Sequence, residues 1–94
     1  MQGKSILITG GSHGFGEGLA RRMAAEGGLV TIADIDEERG QEVAREIGGN
    51  FVRTDVTDFE SNKHAVAEAA SHGGGLDIVI LNAGQVVASG TADE

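Results

Sequence analysis

SILITGGSHGFGEG, residues 5–18, runs a short apolar stretch into a segment with five glycines in the ten positions 9–18. Glycine loses more backbone entropy on folding than any other residue. Such density marks a place where side chains must be kept clear of the main chain. Ser5–Thr9 has the length and composition of a buried strand ended by glycine. From Phe15 onward, Leu19, Ala20, Met23 and Ala24 fall on one helical face, and the pattern runs to Glu26 and stops at Gly27-Gly28. The glycines therefore join a strand to a helix.

The same alternation continues along the chain. Strands are expected at residues 29–33, 50–54 and from Asp77 to Leu81. A helix is expected over Glu37–Ile47, with Val43, Ala44 and Ile47 together and Gly48-Gly49 as its stop. Asp36 stands where it can cap that helix. A third helix begins at Thr57-Asp58-Phe59-Glu60, read as a capping box between Thr57 and Glu60. It turns Val66, Ala69 and Ala70 inward and dissolves at Gly73-Gly74-Gly75. Short strand–helix connections imply parallel strands with right-handed crossovers. Apolar strands with little alternation imply a sheet covered on both faces. No internal repeat or domain boundary interrupts residues 1–94, which read as one small α/β unit.

The bulk properties exclude several function classes. A net charge of −8, with seven scattered basic residues, argues against nucleic acid and anionic membranes as partners. Cysteine is absent, which removes disulfides, thiol nucleophiles and cysteine-based zinc sites. His13, His64 and His72 share no metal-ligand spacing, so no metal site is expected. The apolar run from Ile78 to Leu81 is far too short to span a bilayer, and Met1-Gln2-Gly3-Lys4 does not open a signal peptide. A soluble, cytoplasmic protein is expected.

A loop that enters a helix offers unpaired N–H groups and a partial positive charge, which suits a phosphate. No Lys follows the glycines, so the triphosphatase pattern G-x-x-x-x-G-K-[ST] is not met. The pattern G-x-G-x-x-G starting at Gly14 would need glycine at position 19, which is Leu19. What stands there is T-G-x-x-x-G-x-G, formed by Thr9, Gly10, Gly14 and Gly16. Ser12 lies within it, where its hydroxyl suits a phosphate better than nucleophilic attack. Asp34 follows Gly16 by eighteen residues at the end of the second strand. A carboxylate there can accept both hydroxyls of an adenosine ribose and repel a 2′-phosphate, which favours NAD over NADP. His13 reads as an exposed imidazole rather than a counter-charge to that phosphate. Asp55-Val56 and Asn82-Ala83-Gly84 each follow a strand at its carboxyl end, the ligand-binding edge of a doubly wound sheet.

Together, the glycine loop, "ADID" after the second strand, "DVTD" after the third and "GGLDIVILNAG" resemble the short-chain dehydrogenase/reductase family over nearly the whole chain. The resemblance implies a Rossmann-like doubly wound parallel sheet, here truncated to about four strands and three helices. It also implies that the loop amides of Ser12, His13, Gly14 and Phe15 bind the pyrophosphate, with Gly10 and Gly16 giving clearance. Asp34 would hold the ribose with Ile35 beside it, and Asp55 and Val56 the adenine. Asn82 would brace the sheet next to the cofactor, where Ala83 and Gly84 leave room. Phe15 stands where the family usually has Ile, and Leu81 where a second Asn is common.

The family's chain continues well past this length to its catalytic Ser, Tyr and Lys. This sequence contains no Tyr, and Lys4 and Lys63 are misplaced for that role, so no catalytic residue is expected within it. The expected function is the NAD-binding N-terminal portion of an alcohol or ketone oxidoreductase. A non-catalytic dinucleotide-binding module is the alternative. A methyltransferase using S-adenosylmethionine is a weaker fit, because G-x-G-x-G begins five residues after the strand. In the family's topology the strand from Asp77 to Leu81 is central. Here its far edge is expected to lack a partner and to favour self-association or docking of a missing C-terminal half.

Overall fold

The computed structural model describes residues 2–82. Four strands and three helices alternate: β1 (Ser5–Thr9), α1 (Gly14–Ala25), β2 (Leu29–Asp34), α2 (Glu37–Ile47), β3 (Asn50–Arg53), α3 (Phe59–Gly73) and β4 (Ile78–Ile80). All strand pairs are parallel, in the order β3-β2-β1-β4. The chain steps outward from β1 to β3, then returns to lay β4 on the other side of β1. That reversal leaves a crevice beyond the carboxyl end of β1, the position where α/β sheets bind ligands.

Strand side chains alternate between two covered faces. Ile6, Ile8, Val30 and Ile32 pack with Ala20 of α1 and Val43 and Ala44 of α2, joined by the half-buried Leu19, Met23 and Ile47. Leu7, Ala33 and Val52 face the other way, onto Ala65 and Ala69 of α3. Each fully buried branched side chain contributes about 1.5–3 kcal/mol relative to exposure. With three Phe as the only aromatics, this aliphatic double layer carries the core. One ring takes part: Phe51 lies against the backbone of Gly40, where any Cβ would collide with it.

The third helix departs from expectation in two ways. Its N-cap is Asp58, whose side chain accepts from the Glu60 N–H, and Thr57 is not the cap. Thr57 instead donates both its N–H and its hydroxyl to Oδ1 of Asp55, at 3.0 and 2.6 Å. That local turn draws Thr57 back toward β3 and moves the cap on by one residue. The buried stripe is Ala65 and Ala69, an i,i+4 pair, which leaves Val66 42% exposed and Ala70 half-buried. The other helices match closely. α2 has Asp36 as cap and ends at Gly48 with φ +70°, a conformation glycine adopts without strain.

β4 pairs with β1 on one side and with no strand on the other among the described residues. Val79 and Leu81 are exposed there. Among the described residues, no helix is long and apolar enough to cross a membrane.

Candidate functional site

A cleft of about 680 Å³ opens at the carboxyl ends of the strands. Gly10, His13, Gly14 and Phe15 of the β1–α1 loop line one side. Asp34, Ile35 and Asp36 of the β2–α2 corner, and Thr54 to Thr57 after β3, line another, with Asn82 at the end of β4. Gly10, His13, Gly14, Phe15, Asp34, Ile35, Asp55, Val56 and Asn82 thus converge as the sequence suggested. Ala83 and Gly84 lie outside the described residues.

The floor of the cleft is a tight junction between β1, α1 and β4. The Gly10 N–H donates to the Ala33 carbonyl at 2.7 Å, and Gly10 holds a φ of +67°. The Asn82 side-chain amide donates to the Gly10 carbonyl at 3.3 Å, and the Asn82 N–H donates to the Thr9 hydroxyl at 2.9 Å. Gly16 is buried under this junction rather than on the cleft wall, facing the Gly10 carbonyl and the Asn82 amide. Gly14 is the opposite case. A Cβ there would meet nothing within 4 Å, so its need for glycine comes from its φ of +52° and leaves open space above the loop.

The three helices begin differently. α2 and α3 have aspartates whose carboxylates accept from their first turns. α1 begins at His13, whose side chain makes no capping hydrogen bond. Its first intrahelical bond runs from the Glu17 N–H to the His13 carbonyl at 3.1 Å. The amides of Gly14, Phe15 and Gly16 precede that bond and are left unpaired by helix geometry. Those donors, with the helix dipole behind them, suit an anion.

Ser12 is fully buried and does not line the cleft. Its N–H donates to Oδ2 of Asp34 at 3.2 Å, and its hydroxyl oxygen has no hydrogen-bond partner among the described residues. Asp34, only 9% exposed, also accepts the Asp36 N–H on Oδ1 at 3.0 Å. Each of its oxygens is positioned by one backbone donor and keeps a further lone pair. The His13 ring lies at the rim, with Nε2 2.8 Å from Oδ2 of Asp36. The backbone N–H of Arg39 and the His13 ring together hold the Asp36 carboxyl below its ordinary range. At the other wall, hydrogen bonds from the Thr57 hydroxyl and N–H do the same for Asp55. Ile35, Val56 and the 75% exposed Phe15 supply apolar surface between these polar groups.

Sequence reasoning did not single out Thr54, Thr57 or Arg39 as part of this site. Thr54 is buried, with its hydroxyl donating to the Val52 carbonyl at 3.0 Å. Arg39 donates from Nε to the Ser12 carbonyl at 3.2 Å and from its terminal nitrogens to Glu17 and Glu42, at 2.7 and 2.9 Å. No signal in the sequence points to the contact of Arg39 with the loop, which spans 27 residues.

Glu17 carries a pH dependence. Hydrogen bonds from Arg21 and Arg39 hold its carboxyl below the ordinary 4.5. A depressed folded-state value adds stability above the unfolded-state value and loses it as pH falls through the folded one. Melting temperature should therefore fall on acidification below about pH 4.5. Glu17→Gln should melt lower at neutral pH and show a shallower acid limb. Thermal melts from neutral pH to about pH 3 check this, and parallel curves for the two proteins would contradict it.

The chain matches the family model of short chain dehydrogenases over residues 4–94. It is 41% identical over 99 residues to the 2,5-dichloro-2,5-cyclohexadiene-1,4-diol dehydrogenase LinX of Sphingobium indicum, covering 100% of this chain and 40% of that protein. It is 43% identical over 93 residues to the uncharacterized oxidoreductase YuxG of Bacillus subtilis, covering 92% of this chain and 14% of that one. Among solved structures, it resembles the 3-ketoacyl-(acyl-carrier-protein) reductase from Brucella melitensis complexed with NADH, with a TM-score of 0.80 and 40% identity. That match covers 83% of this chain and 33% of the other. A dehydrogenase/reductase from Sinorhizobium meliloti 1021 matches with a TM-score of 0.82 and 40% identity, covering 89% and 36%. The chain spans well under half the length of these relatives.

Proposed function

Because this chain belongs to the short-chain dehydrogenase family, we propose that it binds NAD as the cofactor-holding portion of an oxidoreductase acting on an alcohol or ketone. The observation that carries the reading is the uncapped start of α1. Asp36 and Asp58 cap the other two helices with carboxylates. The amides of Gly14, Phe15 and Gly16 stay free beneath an open cleft. An acidic cap at position 13 would repel a pyrophosphate, and none is present. Gly14 leaves open space above the same loop for the ligand to approach the backbone.

The residues divide the work by chemistry. The α1 amides take the pyrophosphate. Asp34, oriented by the Ser12 and Asp36 amides, accepts the ribose hydroxyls and disfavours a 2′-phosphate. Ile35 and Val56 flank the adenine, with Asp55 fixed beside them by Thr57. Asn82 ties the loop to β4, so the cradle keeps its shape. A bound nicotinamide would supply hydride transfer, and the groups that would move protons for it are not among the described residues of this cleft. The family match leaves the methyltransferase alternative without support.

Thermal melting with and without NAD tests the proposal. Ligand at 100 times its dissociation constant adds about 2.7 kcal/mol. For a domain of this size that raises the melting temperature by roughly 10–20 °C. The same concentration of NADP should shift it far less. A melt indifferent to both would overturn the reading, and equal shifts would overturn the choice of NAD.

A further inference from the structure

Three separate contacts tie the front of the glycine loop to the β2–α2 corner. Asp34 takes the Ser12 N–H, Asp36 meets the His13 ring, and Arg39 donates from Nε to the Ser12 carbonyl. The third is of a different kind. Asp34 and Asp36 lie on the cleft wall, whereas Arg39 is absent from it and reaches the loop from behind. Its two terminal nitrogens each donate to a carboxylate, one to Glu17 of α1 and the other to Glu42 of α2. One guanidinium therefore joins both helices to a single loop carbonyl, using the fork geometry that separates Arg from Lys.

We infer that Arg39 is a positioning residue for the pyrophosphate subsite, acting through the Ser12 carbonyl. The Ser12–His13 peptide is trans. With its carbonyl held toward α2, the plane of that peptide is set and its N–H points away from Arg39. The next three residues carry the free amides of α1, so the orientation of this plane sets where they aim. Glycine at 10, 11, 14 and 16 gives the loop little rigidity of its own, and outside contacts must supply it. Arg39 does not act as a bare cation for the phosphates. Two carboxylates already answer its charge, at 2.7 and 2.9 Å.

The inference rests on the dinucleotide reading above, and the test separates the two. Dissociation constants for ADP and adenosine are measured by calorimetry on the full 94-residue chain and on Arg39→Met and Arg39→Lys. ADP presents a pyrophosphate and adenosine does not. Arg39→Met is expected to weaken ADP about tenfold, the scale of one charge-assisted hydrogen bond, with adenosine changed less than about twofold. Arg39→Lys keeps the charge, but with one nitrogen in place of a three-nitrogen fork it cannot hold the carbonyl and both carboxylates. It should weaken ADP by about threefold relative to adenosine. The lysine variant decides the matter if the methionine variant fails to melt cooperatively. An unchanged ADP-to-adenosine ratio in the lysine variant, or equal losses of both ligands, would overturn the positioning role. A wild-type chain that binds neither ligand would overturn the dinucleotide reading itself, and this inference with it.

Discussion

Gly16→Ala is expected to lower the melting temperature by roughly 10–25 °C and to abolish any response to NAD, the largest effect of a single methyl group anywhere in this site. Gly16 is buried in the first turn of α1, and the space a Cβ would take is held by the Gly10 carbonyl and the Asn82 side-chain amide. Neither neighbour is the loose end of a flexible side chain. Gly10 is pinned to Ala33, and Asn82 to Thr9. The added carbon must push α1 away from the sheet or break the bond from Asn82 to Gly10. Overpacking of this kind costs about 1–3 kcal/mol, and the lost hydrogen bond adds about 1 kcal/mol. Gly18, two residues along the same helix, has nothing within 4 Å of its Cβ position. Gly18→Ala should be neutral or stabilising by up to about 1 kcal/mol, as helix propensity dictates. Melts of the two variants form an internal comparison, and equal behaviour would refute the tight junction.

Asp34→Ala is expected to weaken NAD by roughly 10–100-fold while leaving NADP unchanged or improved. A hydrogen bond to a charged acceptor is worth about 1.5–3 kcal/mol. For NAD that interaction is simply lost. For NADP the loss is offset by removing a negative charge that would face the 2′-phosphate. The substitution also frees the Ser12 and Asp36 amides, which lose their carboxylate acceptor. Asp34→Asn separates the two effects, because its amide oxygen keeps one acceptor while the charge goes. Calorimetric titration with both dinucleotides reads the ratio. If both variants lose NAD and NADP in equal proportion, Asp34 serves the loop's architecture and not the choice of cofactor.

Much of this was legible in the sequence because it rests on local rules. Glycine at 10 and 14 announces backbone conformations that side chains resist, and both positions have positive φ. Asp36 before an apolar periodicity announces a cap, and it is one. The strands were placed within a residue or so because their apolar runs end at glycine, a charge or, for β4, Asn82. What escaped notice depends on contacts between distant segments. Gly16 reads as part of a phosphate motif, yet its closest neighbours are Gly10 and Asn82. Ser12 reads as a ligand to phosphate, yet its N–H is engaged 22 residues away by Asp34. Arg39 reads as one more surface charge on α2, and only the approach of the first loop reveals its bond to Ser12. The third helix shows how narrow a local rule can be. Thr57 was expected to cap it, but its bonds to Asp55 engage it elsewhere and Asp58 is the cap.

The position of β1 between β2 and β4 bears on the order in which the molecule comes together. β1 and β2 are neighbours in the chain and can pair early. The bonds that brace the glycine turn from Asn82 span 72 and 73 residues. Closing so long a loop carries an entropic cost that must be met before those contacts give anything back. The turn proposed to receive the ligand is thus laid down first and made rigid last, once β4 arrives during synthesis or refolding. A small molecule that recognises only the braced turn acts after that step. It holds the finished sheet closed and slows its opening without hastening its assembly.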